Sequence, residues 1–327
     1  MKLPHRRQFL HLAASAAALP AVTRIASAQS YPSRPVRLIV PASAGGTGDV
    51  LARIAGQWLS ERLSQQFIID NRPGASGNVG TEAVVRASPD GYTLLLVFPS
   101  NATNATLYDK LNFNFIRDIA PVAGLMQVPN VVVVHPAVPV KMVPELIAYA
   151  KANPGKLNMA SGGVGTLGGH IAGELFKMMA GIEMVHVPYR GNVPALTDLL
   201  SGQVQVMVVA TSSALEYVRA GKLRPLAVTS TMRLNELPDV PTMNEFLPGY
   251  QTSSWYGVGA PRNTPAEIVT VLNRNINVAL ADPNVKMRLG ELGGTILPGS
   301  PDDFGRLIAE ETEKWSKVIR AANIKAE

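Results

Sequence analysis

The sequence predicts an α/β protein built as two lobes around one ligand, and three observations carry that prediction. Short β-branched runs alternate with amphipathic helix patterns, the rhythm of a parallel or mixed sheet covered on both faces. Two units of one design, strand then Gly/Ser/Thr loop then helix, occur far apart in the chain. Two strand-like runs, each ending in proline and followed by a helix, bracket roughly 120 residues, as a second domain inserted into a first requires.

In order, Val36 to Val40 reads as a buried strand. It leads through Pro41-Ala42-Ser43-Ala44-Gly45-Gly46-Thr47-Gly48-Asp49 into a helix from Val50 to Leu63. Val50, Leu51, Ile54, Ala55, Trp58, Leu59 and Leu63 share one face of that helix at the 3.6 period. Phe67 to Asp70 is a short strand, and Asn71-Arg72-Pro73-Gly74-Ala75-Ser76-Gly77 is a loop dense in turn formers. That loop lacks the flanks of a nucleophile elbow, because position 78 is Asn and no strand runs directly into it. Val79 to Ala87 is a short helix, and Tyr92 to Phe98 a strand that opens into Pro99-Ser100-Asn101-Ala102-Thr103-Asn104. Ligands in such sheets lie beyond the carboxyl ends of the strands, so Ser43, Thr47 and the pair Ser100-Asn101 share that edge.

Val131 to Val134 and Trp255 to Ala260 are the bracketing strands, and helices at Val143 to Ala152 and Pro265 to Leu280 follow them. They divide the chain into a first domain at 29–130 and 254–327 and a second at 131–253. Inside the insert, the apolar run Leu157 to Ala160 enters Ser161-Gly162-Gly163-Val164-Gly165-Thr166, then a helix from Leu167 to Ala180 that Gly181 ends in a left-handed conformation. Thr166 is its N-cap. The first N–H groups of such a helix lack partners within it and its dipole leaves positive charge there, so the loop favours an anion. A strand at Met184 to Val187, a helix at Val193 to Leu200, and a strand at Val204 to Val209 running into Ala210-Thr211-Ser212-Ser213 come next. Leu223 to Thr229 adds a strand, 235–249 is a proline-containing loop, and Pro301 to Ala322 is an amphipathic helix that packs Phe304, Ile308, Trp315 and Ile319.

Gly163-x-Gly165-x-x-Gly168 spells the dinucleotide fingerprint, but the context denies it. The next strand ends in Pro188-Tyr189-Arg190 with no acidic residue for a ribose. No cofactor is expected. The chain has no cysteine, which excludes disulfides, thiol nucleophiles and thiolate metal sites.

The first residues read as a targeting segment. His5-Arg6-Arg7-Gln8-Phe9-Leu10 is a twin-arginine pattern, an Ala/Leu-rich stretch follows, and Ala26-Ser27-Ala28 fits the small-x-small rule for cleavage after Ala28. Residues 1–28 hold Lys2, Arg6, Arg7 and Arg24 and no acid, so the net charge falls from 30 − 24 = +6 to 26 − 24 = +2 without them. No basic cluster with interleaved aromatics remains to suggest nucleic acid. Of the histidines, 135, 170 and 186 survive, in no zinc-binding pattern.

Pro41 to Asp49, Asn71-Arg72-Pro73-Gly74, Pro89-Asp90-Gly91-Tyr92-Thr93-Leu94, Asn153-Pro154-Gly155-Lys156-Leu157-Asn158, His186-Val187-Pro188-Tyr189-Arg190-Gly191 and Pro238-Asp239-Val240-Pro241-Thr242 follow one another in one order. With them the chain resembles the Bug-type family, periplasmic solute-binding proteins of tripartite tricarboxylate transporters. The resemblance implies a two-lobed periplasmic-binding-protein fold, type II-like, with two crossover strands as hinge. It implies a monomer that holds a small carboxylate by loop amides, hydroxyls and bridging waters and delivers it to a membrane permease. Carried residue by residue, it offers Ser43, Thr47, Gly48, Asp49, Ser100 and Asn101 in the first lobe. In the second it offers Ser161, Gly162, Thr166, His170, Tyr189, Thr211 and Ser212. The chain departs from the family in having Ala42-Ser43-Ala44 where an aromatic and a proline are common, and Ala210-Thr211 where an acid or amide is frequent.

His170 reads equally as a structural hydrogen-bonder, Asp49 as a helix cap, and Tyr189 as a ring seated in packing. Two rival functions remain: a binding protein that signals to a membrane kinase, and a serine hydrolase using Ser161 or Ser76 with His170 or His186, for which no motif supplies the full set.

Overall fold

The computed structural model describes residues 31–108, 110–321 and 323–325. The targeting segment at 1–28 lies outside them. β1 (Val36–Val40) runs parallel to β2 (Phe67–Asn71) on one side and β3 (Thr93–Val97) on the other. Helices α1 (Thr47–Leu63), α2 (Asn78–Val85) and α3 (Pro99–Leu107) follow the three strands in turn. The sequence over α3 carries no helix signal, because Ser100, Asn101, Thr103 and Asn104 are weak helix formers; in the fold all four are buried.

β4 (Ile119–Val134) is the element on which the two halves meet. Its first part pairs antiparallel with β9 (Ser253–Pro261), which itself lies antiparallel beside β3. From Asn130 onward the same strand enters a second sheet, flanked by β7 (Val206–Ala210) and β8 (Arg224–Val228). There β5 (Asn158–Ser161) runs parallel to β6 (Val185–Pro188) and to β7. The helices of this half are α4 (Val143–Ala152), α5 (Ala172–Ala180), α6 (Asn192–Leu200) and α7 (Thr211–Arg219). The hydroxyl pair Thr211-Ser212 therefore opens a helix and is not a free loop.

The crossing point is a buried polar knot. Asn130 N–H donates to Thr229 Oγ1 at 2.9 Å, Thr229 Oγ1 donates to Thr252 O at 2.6 Å, and Ser254 Oγ donates to Asn130 Oδ1 at 2.9 Å. A network satisfied in this way rigidifies one arrangement of the chain, whereas a broken one leaves a costly orphan. A further tie comes from the C-terminal region, where α8 (Ala266–Ala281), α9 (Pro283–Gly290), β10 (Thr295–Ile296) and α10 (Pro301–Ala321) follow β9. Phe304 and Ile308 of α10 pack into a core cluster with Leu95, Val97 and Trp255, while Trp315 and Ile319 pack into one with Val132, Val134 and Phe176. At about 1.5–3 kcal/mol per buried large apolar side chain, this single helix anchors itself in both cores.

Candidate functional site

Because β1, β2 and β3 are mutually parallel, as are β5, β6 and β7, their carboxyl ends gather along common edges. A cavity of about 340 Å³ lies where the two edges face each other. Its walls are the ends of those strands and the segments that leave them: Pro41 and Ala42 after β1, Pro73 to Gly77 after β2, Phe98 to Ser100 after β3, Gly162 to Val164 and Thr166 to Gly169 after β5, Pro188 to Asn192 at and after the end of β6, and Ala210 at the end of β7. Ser254 and Tyr256 of β9 close one side, and burial pushes the Tyr256 phenol up to about 12, so it stays a neutral hydroxyl. Ala42 and Ala210, both positions at which the sequence departs from the family pattern, line this cavity.

The second-lobe loop is held from behind by neutral groups. Thr166 caps the helix start, accepting from His170 N–H, and the chain takes one π turn, Leu167–Ile171, before α5. Ser161 is fully buried; its Oγ accepts from Gly163 N–H at 3.3 Å, donates to Gly163 O at 3.1 Å and lies 2.7 Å from His186 Nε2, a bond whose direction the imidazole tautomer sets. His170 Nδ1 accepts from Gly165 N–H at 3.0 Å, and the two imidazoles stack 3.8 Å apart at 6°. Burial, then the neighbouring His186 and Lys177, push His170 down to about 3; burial, then Lys177, push His186 down to about 4. Both rings are neutral at pH 7, as the acceptor role of His170 Nδ1 demands.

Ser161 and His186 make the contact a serine hydrolase needs, yet they cannot perform its chemistry. The serine is sealed beneath its own loop, the histidine is a weak base, and among the described residues no carboxylate hydrogen-bonds either ring. Glu174 comes no nearer than 3.8 Å to His170 Nε2.

The first-lobe loop is built differently. Asp49 accepts from Gly45 N–H at 2.9 Å and takes both Nε and Nη2 of Arg53 at 3.0 Å. Burial works to raise this carboxyl, but the Arg53 guanidinium and the Gly45 amide overcome it and hold the group below its usual range. The positive end of α1 is thus already neutralised from within. The remaining hydroxyls reach across to the other lobe: Ser43 Oγ donates to Arg190 O at 2.6 Å, and Thr47 Oγ1 lies 2.7 Å from Ser212 Oγ and 2.8 Å from Ser213 Oγ.

Of the residues singled out from sequence, Ser100, Gly162, Thr166 and Tyr189 line the cavity, with the Tyr189 hydroxyl donated to Asp198. Ser43, Thr47 and Ser212 bridge the lobes beside it. Gly48, Asp49, Asn101, Ser161, His170 and Thr211 stand behind the lining. Gly48 leaves no room for a Cβ beside the Phe98 ring, Asn101 Oδ1 accepts from Phe98 N–H at the start of α3, and Thr211 Oγ1 donates to Pro129 O. Tyr108, Asn192, Ser254 and Tyr256 line the cavity with no sequence signal to mark them, and Ser76, offered by the sequence only as a hydrolase nucleophile, lines it together with its loop. Among the described residues no cluster of His, Asp or Glu could hold a metal ion, and no helix is long and apolar enough to cross a membrane.

Comparison with known proteins gives this architecture a family. The sequence model of the tripartite tricarboxylate transporter family receptor matches residues 51–324. Protein BugT of Bordetella pertussis is 37% identical over 302 residues, 91% of this chain and 92% of its own. Among solved structures, Rpa4515 of R. palustris with adipate superposes with a TM-score of 0.88 at 40% identity, covering 90% of this chain and 99% of that one. MatC (Rpa3494) from Rhodopseudomonas palustris with bound malate gives 0.84 at 32% identity, covering 88% and 100%. These relatives are solute-binding receptors and not enzymes. With a two-lobed fold, a cavity walled by strand ends and a match over most of its length, the chain belongs to the tripartite tricarboxylate transporter family of receptors.

Proposed function

We propose that this protein captures a small carboxylate-bearing solute between its lobes in the periplasm and hands it to a membrane permease of the tripartite tricarboxylate type. One observation carries the reading: the cavity is walled by glycine-rich strand ends from both lobes, and Arg190 is the only cation among its lining residues. Backbone amides and hydroxyls then hold the ligand's negative charge, in the manner of other helix-terminus anion sites. The neighbours with adipate and malate support a carboxylate. The lobes are taken as 29–130 with 254–327 and 131–253, moving about the knot at Asn130, in a monomer exported with loss of residues 1–28.

Calorimetry of protein starting at Gln29 against adipate, malate and other mono- and dicarboxylates tests this. A ligand present at about 100 times its dissociation constant adds roughly 2.7 kcal/mol to stability, a shift of some degrees in melting temperature. Small-angle scattering should show the ligand-free protein to be more expanded than the complex. Silence across the whole panel would remove the carboxylate reading.

A further inference from the structure

The loop between β2 and α2 is the most strained backbone on the cavity wall. Ala75 and Ser76 both adopt left-handed conformations, with φ of 44° and 53°, between Gly74 at 133° and Gly77 at 89°. Such a conformation burdens any residue with a Cβ and costs glycine nothing. A serine at position 76 therefore keeps its side chain against a local preference for none, and strain of this kind collects where a site needs a group held in place.

The surroundings show where that side chain is aimed. Asn104 Nδ2 grips the Ser76 carbonyl at 3.1 Å, fixing the loop on α3. Tyr108, another lining residue, donates its hydroxyl to Ser76 Oγ at 3.3 Å. Across the cavity a Cβ built on Gly163 would come within 3.4 Å of Ser76 Oγ, so this first-lobe hydroxyl lies against the second-lobe loop. Having accepted from Tyr108, Ser76 keeps its own proton to give, and the donation it receives polarises that O–H.

We propose that Ser76 is the first-lobe donor to the same ligand carboxylate that the Gly162-Gly163 loop receives from the second lobe, making it a specificity-determining residue that requires the lobes to be closed. This rests on the carboxylate reading above. A neutral ligand end offers a weaker acceptor, so the Ser76 contact favours ionised carboxylates and favours the closed state together.

The test is calorimetry with adipate and malate on the wild type, Ser76→Ala, Ser76→Gly and Tyr108→Phe, with melting of each ligand-free protein. Ser76→Ala and Ser76→Gly should both weaken binding by roughly 10- to 100-fold, the loss expected for a hydrogen bond to a charged group. Tyr108→Phe should weaken it less. Ligand-free Ser76→Gly should melt above the wild type because the strain is relieved, which separates lost binding from damaged folding. If the wild type binds a probe and both serine variants bind it equally well, Ser76 has no such role while the carboxylate reading stands. If the wild type binds no member of the mono- and dicarboxylate panel, the carboxylate reading fails and the Ser76 assignment falls with it.

Discussion

The loops that follow β1 and β5 carry one sequence signature, small residues and hydroxyls between a strand and a helix, and the folded protein uses them in opposite ways. After β1, a carboxylate within the helix, Asp49, consumes the positive helix end and is itself paired with Arg53, so Ser43 and Thr47 are left to fasten the lobes together. After β5, the side chains that brace the loop directly are uncharged, namely Ser161, the capping Thr166 and the stacked histidines, and Gly162 to Val164 with Thr166 to Gly169 line the cavity. An anion site at a helix start thus depends less on bare amides than on whether the protein has already supplied the charge.

A matched pair of glycines breaks or sharpens this contrast with the largest effect. Gly45 and Gly165 have φ of 83° and 77°, but a Cβ at Gly45 meets nothing nearer than 3.9 Å whereas one at Gly165 strikes Leu107 Cδ1 and comes within 2.9 Å of Asn104 Oδ1. Gly45→Ala should cost about 1–2 kcal/mol, the left-handed term alone. Gly165→Ala should cost about 1–3 kcal/mol more through overpacking and should disrupt adipate binding. Equal costs in urea denaturation would mean that the β5 loop is no more tightly seated than the β1 loop.

The histidine pair gives the second effect. Both rings have pKa values below the unfolded value, so stability is full above the unfolded pKa, about 6.5, and is lost as the pH falls from there toward the folded values of about 3 and 4. Each ring should remove up to about 1.4 kcal/mol per pH unit in that window. Denaturation at pH 7 and pH 5 should show the loss, and His186→Asn should reduce the slope; a slope unchanged by the substitution would show that the rings are not the groups being protonated.

Smaller effects follow at the helix starts. Thr166→Ala removes a cap worth about 1 kcal/mol and should also weaken adipate binding. Asp49→Asn should cost a similar 0.3–1 kcal/mol or so through the helix end and leave adipate binding nearly unchanged. The ordering reverses if the β1 loop is the true anion site. Smallest of all, Arg53→Gln should change stability by no more than about 1 kcal/mol because its guanidinium is half exposed.

The sequence by itself determined the features that period, capping and turn residues encode over a few turns of chain. The span Val143–Ala152, the helix stop at Gly181, the Thr166 cap and the buried set Phe304, Ile308, Trp315 and Ile319 were all legible, because period, capping and left-handed glycine are properties of neighbours. Tertiary structure decided which loop faces the ligand. It brought Ser76, Tyr108 and Tyr256 to one cavity from separate elements, turned the polar run at Pro99 into a buried helix and the one at Thr211 into the start of another, and put Ser161 and His170 behind the wall. The left-handed backbone at Ala75 and Ser76 has no local signal, since neither residue prefers it. It is held by Asn104 reaching from another helix, and only the folded chain sets such a contact across 28 residues.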